Sequence, residues 1–193
     1  MKKFLYLTVV LFLFLLSSCA SAPQNRYFIL NPTIRDNISH GKTDKTISVE
    51  YKNCDSRFDS NLIFYKKENY EFGYYAYSKW TEPVCVMVKN SIINAVNASK
   101  IFKNSSYSTI ADYKLLFTIV DFEPVFNKNK NFVLTKIHFD LVDTKSSTII
   151  SSYTFKQKRP IEKIKIENII KIMNDSLKDA VNFALARSQK TLQ

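Results

Sequence analysis

The sequence predicts an α+β domain, a two-layer sandwich with a mostly antiparallel sheet and two helices packed on one face. Three observations predict it. Across Trp80-Thr81-Glu82-Pro83 the periodicity changes from strand-like to helix-like. Residues 111–155 hold three alternating runs joined by short polar links, the pattern of an antiparallel meander. From Ile166 to Arg187 the apolar residues fall on one stripe of a second helix.

Taken in order, Tyr27 to Leu30 reads as a short strand stopped by Asn31-Pro32, and residues 37–45 read as a loop. In Thr46 to Lys52, Ile47, Val49 and Tyr51 alternate with polar residues, as in a half-buried strand. Asn61 to Lys66 and Tyr70 to Tyr77 form a hairpin across Lys67-Glu68-Asn69. Its aromatic residues occupy both faces. Such a ribbon serves more often as core and cross-strand packing, and less often as an exposed surface for a partner or an acyl chain.

Beyond the boundary, Val84, Val88, Ile92, Ala95, Val96 and Phe102 line one helical face opposite Lys89, Asn90, Asn94 and Asn97. Thr81 is the expected N-cap, Glu82 suits the positive end of the helix dipole, and Pro83 belongs in the first turn. In the meander, Tyr113, Leu115, Phe117 and Ile119 mark the first strand, Val133, Ile137, Phe139 and Leu141 the second, and Ile149, Tyr153 and Phe155 the third. In the last helix Glu167, Lys171 and Asp175 are spaced for i,i+4 pairing, and the tail after Ser188 is expected to fray.

The leader says where the chain works. Two lysines precede a largely apolar run of 13 residues, Phe4 to Leu16, too short to span a bilayer as a helix of about 20 residues but suited to a secretory signal. Leu16-Ser17-Ser18-Cys19 then resembles a bacterial lipobox, which implies a signal peptide over 1–18 and a Cys19 bearing N-acyl (palmitate-type) and S-diacylglycerol groups. Several acyl chains make an anchor that one chain cannot. Residues 19–26 would form a tether, 27–188 a single domain and 189–193 a tail. Ala20 and Ser21 offer no Asp after the cysteine, which by a simple sorting rule points to the outer membrane, facing the periplasm.

The formal charge is +11, of which Lys2 and Lys3 of the leader supply two. It suits anionic lipid headgroups or an acidic protein surface, and the export signal sets nucleic acid aside as a partner. Abundant Lys, Asn and Ile beside only two glycines also read as a general compositional bias. The cluster Lys156, Lys158, Arg159, Lys163 and Lys165 reads first as a solvated strand end and second as a headgroup site. In an oxidising compartment Cys54 and Cys85 either join in a disulfide or stay as buried thiols; the sequence leaves both open. Two cysteines and two distant histidines give no metal site.

Catalytic signatures are missing: no Gly-x-Ser-x-Gly, phosphate loop or His-Glu-x-x-His occurs, and His138 falls on the polar side of its strand. The chain is therefore expected to bind and not to catalyse, with no cofactor beyond the acyl groups at Cys19.

The aromatic strand, Trp80-Thr81-Glu82-Pro83, and a helix running to Ile101-Phe102 resemble the ABC-type transport auxiliary lipoprotein family. Tyr113, Leu115, Phe122 and Glu123 match that family's Tyr-x-Leu strand with a following Phe-Glu. One departure is Lys100, where the family often has glycine. The resemblance implies an accessory lipoprotein of an ABC-type system whose substrate-binding subunit carries an MCE (mammalian cell entry) domain and which moves phospholipid or organic solutes between the two membranes. The implied partners are that subunit, the membrane through its anchor, and further copies of the chain. Tyr77, Trp80 and Glu82 are the candidate partner contacts, with a core position for Trp80 as the alternative. The competing function is an outer-membrane lipoprotein that assists lipopolysaccharide assembly beside a β-barrel.

Overall fold

The computed structural model describes residues 23–33, 43–68, 71–106 and 111–192, so the signal peptide and Cys19 lie outside the described residues. The elements are β1 (Arg26–Phe28), β2 (Thr46–Asn53), β3 (Leu62–Lys67), β4 (Phe72–Trp80), α1 (Val84–Ser99), β5 (Asn104–Ser106), β6 (Tyr113–Phe126), β7 (Phe132–Asp143), β8 (Thr148–Pro160) and α2 (Ile166–Thr191). Helices on one face of a mixed sheet make the α+β class expected from the sequence.

The long strand β6 organises the eight-stranded sheet. One of its edges pairs antiparallel with β7 along its length, and β7 pairs antiparallel with β8. The other edge divides: Tyr113 to Thr118 pair parallel with β2, and Val125 and Phe126 pair parallel with Lys66 and Lys67 of β3. From there β5 adds to β2, β4 to β3 and β1 to β4, the first and last in parallel. The antiparallel ladders were legible as hairpins. The parallel junctions, formed by segments far apart in sequence, were not.

Alternation along the strands explains the layers. Val133, Thr135, Ile137, Phe139 and Leu141 of β7 are all buried, facing the helices with Leu115 and Phe117 of β6. Against them α2 buries Ile169, Met173, Leu177, Ala180, Val181 and Ala184, and α1 buries Val84, Val88, Ile92 and Val96. Each large apolar side chain so buried contributes about 1.5–3 kcal/mol of transfer free energy. A polar seam crosses this core: Ser176 Oγ of α2 donates to Gln157 Oε1 and meets the Thr135 hydroxyl, each at 2.8 Å, and Gln157 donates to Asp179. The buried hydroxyls and amide are thus satisfied.

Several element ends differ from expectation. Pro83, not Thr81, is the N-cap residue of α1, and no side chain caps the helix. The Pro83 carbonyl accepts from Val86 and Met87, while the Thr81 hydroxyl donates to Met87 Sδ at 4.0 Å. Glu82 consequently precedes the helix. At the other end, α2 continues through Thr191 with Ser188 and Gln189 buried, so the tail does not fray after Ser188: Tyr153 Oη meets Ser188 Oγ at 2.8 Å and holds that turn against β8. β8 runs on to Pro160, so Lys156 and Lys158 are strand residues.

Candidate interaction surface

The sheet face away from the helices has no second layer among the described residues. It carries three features: an aromatic band, a buried carboxylate and a basic hollow.

The aromatic ribbon of β3 and β4 divides by face. Tyr65 and Tyr75 point inward, their rings 5.3 Å apart edge to face, and Tyr65 also meets Phe126 at 5.7 Å. Burial, with the nearby Tyr65, pushes the Tyr75 hydroxyl up to about 12. Outward lie Phe72, Tyr74 and Tyr77, with Tyr27 of β1 beside them, all 41–61% exposed. Tyr74 meets Phe64 edge to face. Arg57 lies over the rings of both Phe58 and Phe72, at 4.8 and 4.9 Å. The ribbon therefore packs on one face and leaves its rings exposed on the other.

Of the sequence-predicted contacts, Tyr77 and Glu82 are exposed. Trp80 is 1% exposed, so its ring fills the core beside α1 and cannot touch a partner directly. This corrects the contact reading of Trp80 and agrees with its alternative, a core position. Its backbone is fixed too, since β1 pairs with it through Phe28 and its N–H donates to the Asn61 carbonyl. Cys54 and Cys85 are joined by a disulfide, Cα to Cα 6.2 Å, which ties the loop after β2 to the first turn of α1.

Glu123 was legible only as part of a family pattern, yet it is 1% exposed. One carboxylate oxygen accepts from the Phe122 amide at 2.7 Å; the other has no hydrogen bond and lies 3.8 Å from Arg57 Nη1. Burial pushes this carboxyl up to about 7, outweighing the Phe122 amide and the Arg57 charge. Arg57 is held in turn by Asp55, through Nε at 3.1 Å and Nη2 at 3.3 Å.

Further along the same face, Ser152, His138 and Asp140 converge without forming a catalytic relay. Ser152 Oγ donates to Asp140 at 2.7 Å, and both Ser152 and Asp140 address the same ring nitrogen, His138 Nε2, at 3.2 and 3.1 Å. His138 Nδ1 faces Thr154. A nucleophile–base–orienter chain needs the hydroxyl on one ring nitrogen and the carboxylate on the other, so this arrangement is a polar clasp between β7 and β8. Burial opposes the charge of Asp140, but Ser152, His138 and Lys52 together hold its pKa below the ordinary value.

Where the β6–β7 hairpin meets the end of β8, a hollow of about 650 Å³ is lined by residues 127–132 with Lys158, Pro160 and Ile161. A second of about 400 Å³ adjoins it on the open face, floored by Val125, Phe132 and Leu134 and edged by Lys66, Lys67 and Lys158. Lys158 Nζ stands 4.7 Å over the Phe132 ring.

No family model matches the chain, and no curated protein matches it. Solved structures do. The fold is similar to that of protein XCC0632 from Xanthomonas campestris, described as family-model DUF330, with TM-score 0.78 at 17% identity over 86% of this chain and 95% of that one. A second, an uncharacterized protein, gives TM-score 0.65 at 12% identity over 84% and 98%. At these identities the likeness is one of fold, and it extends over most of both chains.

Proposed function

We propose that this protein is a lipid-anchored accessory lipoprotein of the bacterial envelope, held by acyl groups on Cys19 at the periplasmic face of the outer membrane. It serves an ABC-type, MCE-linked system that carries phospholipid or organic solutes between the membranes. It acts by contact and not by catalysis. The observation that carries this reading is the outward aromatic band of Tyr27, Phe72, Tyr74 and Tyr77, placed on a small domain whose sequence begins with an export signal and a lipobox. Exposed aromatic side chains grouped on one sheet face mark an interaction surface. Tyr77 and Glu82 are the contact residues within reach of a partner.

Affinity capture of the full-length protein from native membranes tests the reading. Recovery of an MCE-domain subunit supports it. Recovery of a lipopolysaccharide-assembly β-barrel in its place supports the competing function, and a soluble protein without acyl groups at Cys19 overturns both.

A further inference from the structure

The pole of the domain that carries the basic hollow also receives the chain from the anchor. Arg26, the first residue of β1, pairs with Glu167 in the first turn of α2 at 2.6 Å. The loop leading into that turn exposes Lys163, Ile164 and Lys165, with Ile164 63% accessible although it is wholly apolar. That loop is tied to the β6–β7 hairpin, since the Ile161 N–H donates to the Asn131 carbonyl at 2.9 Å, and the hairpin exposes Lys128 and Lys130. Among the described residues none of these four lysines has an ion pair. The nearby carboxylates are few. Glu167 is engaged with Arg26, Glu71 with Lys67, Glu68 accepts from the Lys128 amide, and Glu162 remains.

From these positions we infer that this pole docks on anionic phospholipid headgroups of the membrane that holds the anchor. The inference rests on the reading of Cys19 as the lipidated residue. Seven residue steps separate Cys19 from Arg26, a reach of at most about 25 Å when fully extended. A domain tethered that closely presents some face to the bilayer, and only the pole beside the tether's entry is then free to meet it. Lysines close to an anionic leaflet are attracted to it, and Ile164 between two of them can enter the interface while their ammonium groups stay among the phosphates. The opposite pole differs in that its lysines stand beside carboxylates: with the Thr46 hydrogen bonds, Lys45 and Lys145 hold Asp112 below the ordinary carboxylate range, and with the Ser146 and Lys145 amides, the Lys145 charge does the same to Asp143. Docking this way turns the aromatic band sideways, off the membrane.

Amine-reactive labelling of the full-length protein, purified from membranes and read by peptide mass spectrometry, tests the orientation. The protein is compared in vesicles of phosphatidylcholine alone and of phosphatidylcholine with phosphatidylglycerol. Docking predicts about fivefold slower labelling of Lys130, Lys163 and Lys165 on the anionic vesicles, with Lys145 and Lys190 unchanged. The triple variant Lys130→Glu, Lys163→Glu, Lys165→Glu should keep its melting temperature, since all three side chains are exposed, and lose the contrast between the vesicles, read as slowed labelling of Lys128. Equal slowing at Lys145 and Lys190, no slowing at all, or slowing only when lipopolysaccharide is added overturns the inference. The acyl mass on the N-terminal peptide is read in the same experiment. An acylated protein with an unprotected pole sinks the docking surface alone, whereas an unacylated one sinks the anchoring reading as well.

Discussion

Gly73 lies under the ring of Tyr65: a Cβ placed on Gly73 would stand 2.5 Å from both Cζ and the hydroxyl oxygen of Tyr65. The two residues are register partners across β3 and β4. A strand glycine normally weakens a sheet, but here its bareness lets an aromatic ring cover the neighbouring backbone. Gly73→Ala should therefore destabilise the domain by about 1–3 kcal/mol despite alanine's better backbone entropy. Tyr65→Leu in the same chain should recover part of that loss. A thermal-melt double-mutant cycle measures the coupling, and additive effects would refute the contact.

The disulfide between Cys54 and Cys85 spans 31 residues. Closing a loop of that size in the unfolded chain stabilises the native state by roughly 3–4 kcal/mol in the chain-entropy account. The paired substitution Cys54→Ser and Cys85→Ser should lower the melting temperature accordingly. A reductant should act on the unsubstituted protein in the same direction and leave the paired variant unaffected.

Lys100 closes α1 in the left-handed conformation, φ 53°, where the resembled family often carries glycine. A side chain there costs about 1 kcal/mol that glycine does not. Lys100→Gly should stabilise the domain by about 0.5–1 kcal/mol, because glycine's larger unfolded-state entropy offsets only part of the relief. Denaturant unfolding should show a raised midpoint with an unchanged slope.

How much of this was legible in the sequence follows the range of the interactions. Local periodicity marked both helices and most of the strands, because alternation at Tyr113, Leu115 and Phe117 or the stripe through Met173 and Leu177 is written within a few residues. The parallel joins of β2 and β3 to β6 depend on contacts across 60 or so residues and leave no local trace, as Lys66 against Val125 shows. β5, three residues long, carries no period at all. Among site residues, exposure was the illegible quantity: Trp80 and Tyr77, three residues apart, alternate to opposite faces of one aromatic strand, but which face the helices cover is not written locally, and the irregularity between Leu62↔Lys79 and Phe64↔Tyr74 is what lets Tyr74 and Tyr77 share the outward face. Glu123 and Arg57 meet through a loop whose path no sequence pattern specifies.

Glu123 makes stability depend on pH in a stated direction. Its carboxyl titrates at about 7 in the folded protein, against an ordinary value of 4.5. Below the lower value both states hold the proton and its contribution is fully present. Between the two, unfolding releases a proton, so stability falls as pH rises, and above about 7 the loss is complete. Glu123→Gln removes the titrating group and should flatten the melting temperature between pH 5 and pH 8, with the variant gaining on the parent protein toward pH 8. A parallel slope in both proteins would assign the pH dependence elsewhere.

Trp80 and Tyr77 separate folding from contact. Truncating the buried indole by Trp80→Ala removes packing beneath α1 and should cost about 3–5 kcal/mol, enough to unfold much of the protein near physiological temperature. Tyr77→Ala removes an exposed ring and should change stability by no more than about 0.5 kcal/mol. If the aromatic band meets a protein partner, the same exposed truncation should weaken capture of that partner from membranes by tenfold or more, as loss of an aromatic anchor does. Glu82→Ala, at the exposed residue before α1, should have a smaller effect in the same direction, visible at low salt and reduced at high salt. Melting temperature and capture yield are therefore read together for each variant. A Tyr77→Ala protein that melts normally and still captures its partner at full yield would take the contact away from the β4 band, whereas a drop in melting temperature of several degrees would return Tyr77 to the fold.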